Sequence, residues 1–211
     1  MARIERVFVD SDTQYDFIDP AGRLYVPGSI EIHDALRRLI RLAGQRHIPV
    51  LSPVDEHPED DPEFTQFPPH CVRGTPGQRK MPFTLMGRVL TIRAEVMLPA
   101  PAAKLIADYD QLVFPKRAFS VFTNPNFGRV VDRLDVGEFV VFGVALDYCV
   151  REVALGLLER GRNVTIVRDA VRAITPQGEQ ETTRLLTSRG AGWANTDVIL
   201  AEAALSVCGP S

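Results

Sequence analysis

The segment from Val140 to Gly161, VVFGVALDYCVREVALGLLERG, limits the possible fold more than any other part of the chain. The segment opens within a short apolar run, Phe139–Val144, which is typical of a strand buried in a parallel sheet. Apolar residues then recur at helical spacing up to Gly161, a residue type that commonly ends helices in the left-handed conformation. The segment therefore predicts a buried strand followed directly by a helix.

Cys149 lies in the first turn of this predicted helix, and Asp147 is its expected N-cap. Unpaired N–H groups and the helix dipole at such a position lower the pKa of a thiol and favour the thiolate. A lone cysteine is also commonly a buried structural residue. From this segment alone, a nucleophile and a structural cysteine are both open.

The rest of the chain alternates apolar runs with amphipathic segments, which predicts a mostly parallel sheet with helices on both faces. Strands are predicted at Arg6–Asp10, His47–Ser52, Asp110–Phe114, Phe139–Val144, Asn163–Arg168 and Gly192–Asn195. Helices are predicted from Ser29 through Ile40 and over Ala102–Ala107, Asn126–Leu134, Asp147–Gly161, Gln177–Ser188 and Asp197–Val207. Residues 53–100, rich in proline, glycine and aspartate, are predicted to be irregular, and a loop of this length is usually either functional or disordered.

Composition narrows the class of protein. The 211 residues, 45% of them hydrophobic, suit one globular α/β domain over residues 1–211. A formal net charge of −3 argues against nucleic acid or an anionic membrane as the main partner. We expect no signal peptide and no membrane span, and three cysteines without metal-type spacing favour a reducing, cytoplasmic location.

Reactive side chains follow four of the predicted strands. Asp12 comes after the first strand, Asp55 and His57 after the second, Lys116 after the third and Cys149 after the fourth. In a parallel α/β sheet, ligands bind at the carboxyl ends of the strands. The fold would therefore bring these side chains to one edge of the sheet.

Three of these residues can act together on a carbonyl compound. Asp12 can take the proton of the Cys149 thiol, and Lys116 can hold carboxylate and thiolate together during attack and protonation of a leaving amine. Backbone N–H groups near Ala145 and Cys149 can form an oxyanion hole. Taken singly, Asp12 can instead be a loop-capping carboxylate and Lys116 a solvated lysine.

A second set lies in the loop VDEHPEDDPEFTQFPPHCVRGTPG. Asp55 and His57, two residues apart, can reach one metal ion from an extended segment, and His70 can supply a third ligand. Two histidines and a carboxylate suit Zn, Fe or Mn and leave open positions. A solvated acidic loop is the alternative. Cys71, whose side chain would point away from that of His70, is interpreted as structural.

Three motifs resemble those of the isochorismatase-like cysteine hydrolases: DTQYDF at Asp12–Phe17, the lysine of FPKRAF at Phe114–Phe119, and GVALDYCV at Gly143–Val150. The resemblance covers nearly the whole chain. It implies a three-layer α/β/α, Rossmann-like fold with a six-stranded, mostly parallel sheet. It also implies that the aspartate, lysine and cysteine named above form a catalytic triad, and that the Val144–Ala145 peptide is cis.

Within that family, Asp55-x-His57 followed by FPPHCVRGTPG is similar to the nicotinamidases. The resemblance implies one divalent metal ion on Asp55, His57 and His70, with Zn expected first and Mn or Fe as alternatives. In those enzymes the metal coordinates the pyridine nitrogen of nicotinamide, and aromatic residues that correspond to Phe17 and Phe67 stack on the ring.

Further substrate contacts are expected from Phe119 and Phe122, which the resemblance places near the site, and from Tyr148 of the third motif. The aromatic set departs from the usual nicotinamidase pattern. Phe67 stands where those enzymes usually carry tryptophan, and Phe119 and Phe122 stand where many carry tyrosine.

The expected activity is that of a metal-containing cysteine amidohydrolase that cleaves the C–N bond of a small amide. Nicotinamide, converted to nicotinate and ammonia through a thioester on Cys149, is the first expectation. An amidase for a carbamoyl or ureido compound and a non-catalytic relative that binds small molecules are the alternatives. A vinyl-ether hydrolase is disfavoured, because it would leave the metal-type residues without a role. The chain is expected to form a homo-oligomer, a dimer or a tetramer.

Overall fold

Seven parallel strands form one β-sheet in the computed structural model, which describes residues 3–205. The strands are β1 (Ile4–Ser11), β2 (Val50–Asp55), β3 (Val89–Thr91), β4 (Gln111–Lys116), β5 (Val136–Val144), β6 (Val164–Arg172) and β7 (Gly192–Ala194). They follow the order β3-β4-β2-β1-β5-β6-β7 across the sheet. From β1 the chain first adds strands on one side of the sheet and later, from β5 onwards, on the other side of β1. Such a switch point in the strand order is where α/β sheets bind ligands.

Seven α-helices flank the sheet within the described residues. They are α1 (Tyr15–Ile18), α2 (His33–Arg46), α3 (Ala102–Asp108), α4 (Pro125–Arg133), α5 (Arg151–Leu158), α6 (Pro176–Ser188) and α7 (Thr196–Leu205). Short 3-10 helices occur at Ser29–Ile32, Pro62–Thr65, Pro82–Thr84 and Val121–Thr123, and a π-helical turn, Leu146–Val150, precedes α5. Among residues 3–205, none of the helices combines the length and apolar character that crossing a membrane requires.

Two apolar clusters cover the two faces of the sheet. Val7 and Val9 of β1 join one cluster together with α4 and α5, and Phe8 between them joins the other together with α2. This alternation follows from the two-residue period of a strand, which sends successive side chains to opposite faces. The predicted three-layer α/β/α architecture is confirmed.

The sheet contains one strand more than predicted. The additional strand, β3, lies within residues 53–100, which were expected to be irregular. It has only three residues at the edge of the sheet, two of them exposed, so it leaves no periodic pattern in the sequence. β2 also begins later than the predicted His47–Ser52, because His47 ends α2 in the left-handed conformation, with φ 53°.

The start of the Cys149 helix also differs from the prediction. Cys149 lies in the π-helical turn, and regular α-helix begins only at Arg151. Asp147 does not cap this helix, because its carboxylate accepts the N–H groups of Ile174 at 2.9 Å and Thr175 at 3.3 Å. For the last predicted helix, the end at Val207 lies outside the described residues.

Gly143 allows β5 to approach β1 closely just before the turn that carries Cys149. Its φ is +110°, and a Cβ built on it would lie 2.0 Å from the carbonyl oxygen of Ser11. Only glycine tolerates both the backbone conformation and this contact. Gly161, with φ +68° three residues after the end of α5, has the predicted left-handed conformation but faces open space.

Replacing Gly143 should therefore destabilise the protein far more than replacing Gly161. Gly161→Ala should lower the free energy of unfolding by about 1–2 kcal/mol, the cost of a left-handed alanine. Gly143→Ala adds a clash with backbone atoms and should cost about 3 kcal/mol or more. Urea unfolding of both variants measures the difference. Equal losses would contradict the close approach of β1 and β5.

Candidate active site

Asp12, Lys116 and Cys149 meet at the carboxyl edge of the sheet. The Lys116 ammonium nitrogen lies 3.2 Å from Oδ2 of Asp12 and 3.4 Å from Sγ of Cys149. All three side chains are buried. The structure therefore brings together the three residues that the sequence analysis combined.

Neighbouring strand ends place the charged residues of this group. Lys116, the last residue of β4, pairs in register with Asp55, the last residue of β2. Asp12 follows β1 directly and turns into the site with φ 51°, a left-handed conformation that aspartate tolerates better than most residues. Its N–H donates to the carbonyl oxygen of Pro53 at 3.0 Å, and the Ser11 hydroxyl donates to its Oδ2 at 3.0 Å.

The Lys116 ammonium group is the positive centre of the site. It forms ion pairs with Asp12 and Asp55. Burial by itself would lower the pKa of Lys116, but these two carboxylates raise it well above its usual value. Lys116 therefore stays protonated throughout the range in which proteins function.

The two carboxylates beside Lys116 differ in acidity. Burial raises the pKa of Asp12 to about 6, although the charge of Lys116 opposes the shift. Burial also acts on Asp55, but the charge of Lys116, the nearby His57 ring and the hydrogen bond from Lys116 together lower its pKa to about 2. At neutral pH Asp12 is therefore an ionised base that readily accepts a proton, whereas Asp55 remains a fixed anion.

The Cys149 thiol is protonated at rest, contrary to the sequence-based expectation. Burial raises its pKa well above the usual thiol value, and Asp12 and Asp55 add to the shift against the opposing charge of Lys116. The helix-start effect is outweighed because the sulfur is buried and lies close to two carboxylates. A protonated sulfur can act as a nucleophile only when a base takes its proton, and Asp12 is the adjacent carboxylate with a pKa of about 6.

Asp55, His57 and His70 form a compact donor set next to the triad. Their ligating atoms all lie within 4.8 Å of one another, and all three residues are buried. Oδ2 of Asp55 lies 3.7 Å from Nε2 of His57 and 3.9 Å from Nε2 of His70. The loop that carries the histidines therefore folds back over the end of β2.

The hydrogen bonding of the histidines suits a metal ion. Neither ring nitrogen of His57 has a hydrogen-bond partner within the described residues, although both are buried. Nδ1 of His70 lies 2.8 Å from the carbonyl oxygen of Pro68, which can only accept, so in the neutral ring the proton lies on Nδ1 and Nε2 keeps its lone pair. Lone pairs of His57 and His70 beside an ionised carboxylate are a donor set that zinc prefers.

Two acidic residues near this set were not singled out from the sequence. Oε1 of Glu63 lies 3.7 Å from Nε2 of His70, and Oδ2 of Asp61 lies 3.1 Å from Nδ1 of His57, off the line of a hydrogen bond. Asp61 accepts the N–H of Glu63 at 3.0 Å and caps the 3-10 helix Pro62–Thr65. An aspartate directly before a proline is a sequence signal for such a cap.

A small aromatic cavity lies between the triad and the metal-type residues, which are the donor set Asp55, His57 and His70. Phe17, Phe67, Phe119 and Tyr148 line it, as predicted from the resemblance. Phe67, Phe119 and Tyr148 pack edge to face, with ring centroids 5.1–6.3 Å apart. The free volume is only about 30 Å³, room for about one water molecule. A ring-sized substrate would therefore have to displace these three side chains, which form the aromatic cover of the cavity.

Phe122 is a correction to the predicted substrate contacts. It is not among the residues that line the cavity, and packs instead against Phe127, with ring centroids 5.1 Å apart, and beneath the guanidinium of Arg160. The 3-10 helix Val121–Thr123 turns the ring away from the site, towards Gly156, where a Cβ would lie 2.2 Å from it.

The chain between β5 and Cys149 borders the same cavity. The Val144–Ala145 peptide is cis, which confirms the expectation from the resemblance. The carbonyl oxygen of Ala145 accepts the N–H groups of Tyr148 and Val150, each at 3.1 Å, and so closes the turn. The turn brings the backbone at Ala145 and Cys149 to the same wall of the cavity.

Comparisons with known proteins show the family to which the chain belongs. The family model of the isochorismatase domain matches residues 90–198, a little over half of the chain. A probable inactive nicotinamidase of Arabidopsis thaliana is 28% identical over 167 residues, which cover 79% of this chain and 80% of that protein.

Two solved structures share the fold. The pyrazinamidase of Pyrococcus horikoshii, in complex with zinc, is 28% identical with a TM-score of 0.72, covering 90% of this chain and 99% of that one. The N-carbamoylsarcosine amidase of Thermoplasma acidophilum is 25% identical with a TM-score of 0.69, covering 92% of this chain and 98% of that one. The chain therefore belongs to the isochorismatase family, and its relatives include amidohydrolases.

A zinc titration tests whether Asp55, His57 and His70 bind a metal ion. Metal-free protein should bind about one Zn²⁺ in a calorimetric titration, and His57→Ala should weaken binding by at least about tenfold. Binding should also weaken as the pH falls, because both histidines must be neutral to act as ligands. His47→Asn is the matched control, since His47 is exposed at the end of α2 and asparagine accepts its left-handed conformation. Unchanged stoichiometry and affinity in His57→Ala would rule out this site.

Proposed function

We propose that the protein is a metal-containing cysteine amidohydrolase that cleaves a small aromatic amide, with nicotinamide as the first candidate substrate. The observation that carries the proposal is the contact of Lys116 with both Cys149 and Asp12. This group lies beside a buried donor set for a metal ion and an aromatic cavity. The similarity to a zinc-bound pyrazinamidase supports the same activity.

In the first half of the proposed reaction, Cys149 forms a bond to the substrate. Asp12 takes the thiol proton as Sγ attacks the carbonyl carbon, and backbone N–H groups of Ala145 and Cys149 stabilise the oxyanion. Asp12 then donates the proton to the amide nitrogen. The C–N bond breaks, ammonia leaves, and a thioester remains on Cys149.

In the second half, water hydrolyses the thioester. Asp12 accepts a proton from the attacking water as the new C–O bond forms, and the C–S bond then breaks. The proton returns to the sulfur, which regenerates the Cys149 thiol and releases the carboxylic acid. Lys116 stays protonated and offsets the negative charge that moves among sulfur, oxyanion and Asp12.

The metal-type residues and the aromatic residues have a positioning role in this proposal. Held by Asp55, His57 and His70, a divalent metal ion would bind the ring nitrogen of the substrate and so orient it. The rings of Phe17 and Phe67 provide faces for stacking. Orientation of the carbonyl carbon over a nucleophile contributes much of the rate acceleration of such reactions.

An amidase for a carbamoyl or ureido acid is the second candidate, since the chain is similar to an N-carbamoylsarcosine amidase. The cavity favours the aromatic amide. Among the described residues, neither arginine nor lysine lines it, and the nearby Lys116 is already paired with Asp12 and Asp55. A substrate carboxylate would therefore lose its hydration without gaining a counter-charge.

Covalent catalysis can be tested on the two cysteines that the structure describes. With nicotinamide, Cys149→Ala should show no turnover, and intact-protein mass spectrometry with a slow amide should show an acyl adduct on wild type but not on Cys149→Ala. Cys71→Ala is the control, because Cys71 is likewise a free, buried cysteine but has no role in the proposed reaction. Ammonia release by Cys149→Ala at the wild-type rate would refute the mechanism.

The pH dependence tests Asp12 as the base. Because its pKa is raised to about 6, kcat/KM should fall about tenfold per unit below about pH 6 and level off above it. The Ser11 hydroxyl donates to Asp12 and favours its ionised form. Ser11→Ala should therefore move the acidic limb of the pH profile to higher pH, by about half to one unit. The control is Ser188→Ala, an exposed serine at the end of α6, which should leave the acidic limb of the pH profile unchanged.

Excess zinc separates this effect from protonation of the histidines. A limb caused by loss of metal moves to lower pH as the zinc concentration rises, whereas a limb caused by Asp12 does not. If Ser11→Ala leaves the limb unmoved at saturating zinc, Asp12 is not the titrating base.

A further inference from the structure

A cleft of about 900 Å³ lies beside the active site, and the proposed reaction does not use it. Segments around Tyr15 and Arg79 form its walls, and strands β2, β3 and β4 contribute its floor. The two walls are tied together, because the N–H of Tyr15 donates to the carbonyl oxygen of Arg79 at 2.9 Å.

The cleft and the active site are separate cavities on opposite sides of the same strand ends. Val54 and Glu56 line the cleft, whereas Asp55 between them lines the active site. Pro115 likewise lines the cleft, and the next residue, Lys116, reaches the triad. This follows from the alternation of side chains along a strand. A molecule in the cleft would therefore not occupy the substrate position.

The floor of the cleft is apolar. Val54 and Val113, on neighbouring strands, are buried there and belong to neither of the two core clusters. Leu85 and Val89 also line the cleft and are 43% and 37% exposed, so they present apolar surface to solvent. Such a surface gains free energy when an apolar body covers it.

Three carboxylates in the cleft, those of Asp16, Asp19 and Glu56, already have donors from the chain. The donors are the N–H groups of Cys71 and Arg23 for Asp16, the N–H of Ala21 for Asp19, and the side chains of Arg73, Arg93 and Gln78 for Glu56. The backbone N–H groups occupy acceptor oxygens of Asp16 and Asp19 without offsetting their charges, whereas Arg73 and Arg93 offset the charge of Glu56.

Two guanidinium groups in the cleft have no such partner. Arg23 and Arg79 are exposed, and within residues 3–205 their side chains form neither a hydrogen bond nor an ion pair. The ammonium group of Lys80, by contrast, is held by Asp10 and Thr13, both at 2.7 Å. The cleft therefore contains two guanidinium groups whose hydrogen-bond donors are free to meet an anionic group.

We propose that this cleft binds a small amphipathic anion. Its apolar body, an aromatic ring system or an acyl chain, would lie on Val54, Val113 and Val89. Its carboxylate, sulfonate or phosphate group would pair with Arg23 and Arg79, whose planar donors suit such oxygens.

Two fluorescent probes that share an aromatic body test the proposal on the full chain. 1-Anilinonaphthalene-8-sulfonate carries an anionic group, and N-phenyl-1-naphthylamine lacks it. The double variant Arg23→Gln/Arg79→Gln should raise the Kd of the sulfonate about tenfold and change that of the amine less than twofold. Arg41→Gln, an exposed arginine on α2, is the control and should change neither.

Variants of the apolar floor locate the aromatic body. Val89→Asp should weaken binding of both probes about tenfold, and Leu85→Asp replaces it if Val89→Asp fails to fold in a thermal melt. Equal loss of both probes in the arginine variant, or full binding in the floor variant, would overturn the proposal. Sedimentation velocity provides a further check. If the arginine variant converts a dimer into a monomer, the cleft is an interface between copies and not a ligand site.

Discussion

The buried ammonium group of Lys116 is the interaction on which the site depends. It lies among Asp12, Asp55 and the Cys149 sulfur, at the carboxyl ends of strands that are neighbours in the sheet. Two carboxylates buried this close together need a counter-charge, since unpaired charges in a protein interior are strongly destabilising. The same ion pairs keep Lys116 protonated and Asp55 ionised, and they leave Asp12 as the carboxylate with a pKa of about 6.

Asp55 joins the triad to the metal-type residues. One carboxylate oxygen, Oδ1, accepts from Lys116, while the other, Oδ2, faces Nε2 of His57 and His70. Gln14 holds the backbone of Asp55 in place: its amide accepts the Asp55 N–H at 2.7 Å and donates to the Asp55 carbonyl oxygen at 2.8 Å. Movement of this one residue would therefore disturb both halves of the site.

The same strand ends also separate the two cavities. Side chains that alternate along β2 and β4 point to the active site at Asp55 and Lys116 and to the large cleft at Val54, Glu56 and Pro115. The active site is nearly closed, under the rings of Phe67, Phe119 and Tyr148, while the cleft beside it is open. Substrate entry therefore requires motion of the aromatic cover, whereas a ligand can enter the cleft without it.

The sequence by itself determined the α/β class, the order of the strands along the chain and the residues at the strand ends, because hydrophobic periodicity and residue type are local properties. Tertiary structure decided what depends on neighbours distant in sequence. The buried position beside Asp12 and Asp55 reverses the expected acidity of Cys149, and close packing beside Gly156 turns Phe122 away from the cavity. The edge strand β3 is likewise formed by pairing with β4, since its three residues carry no periodic signal of their own.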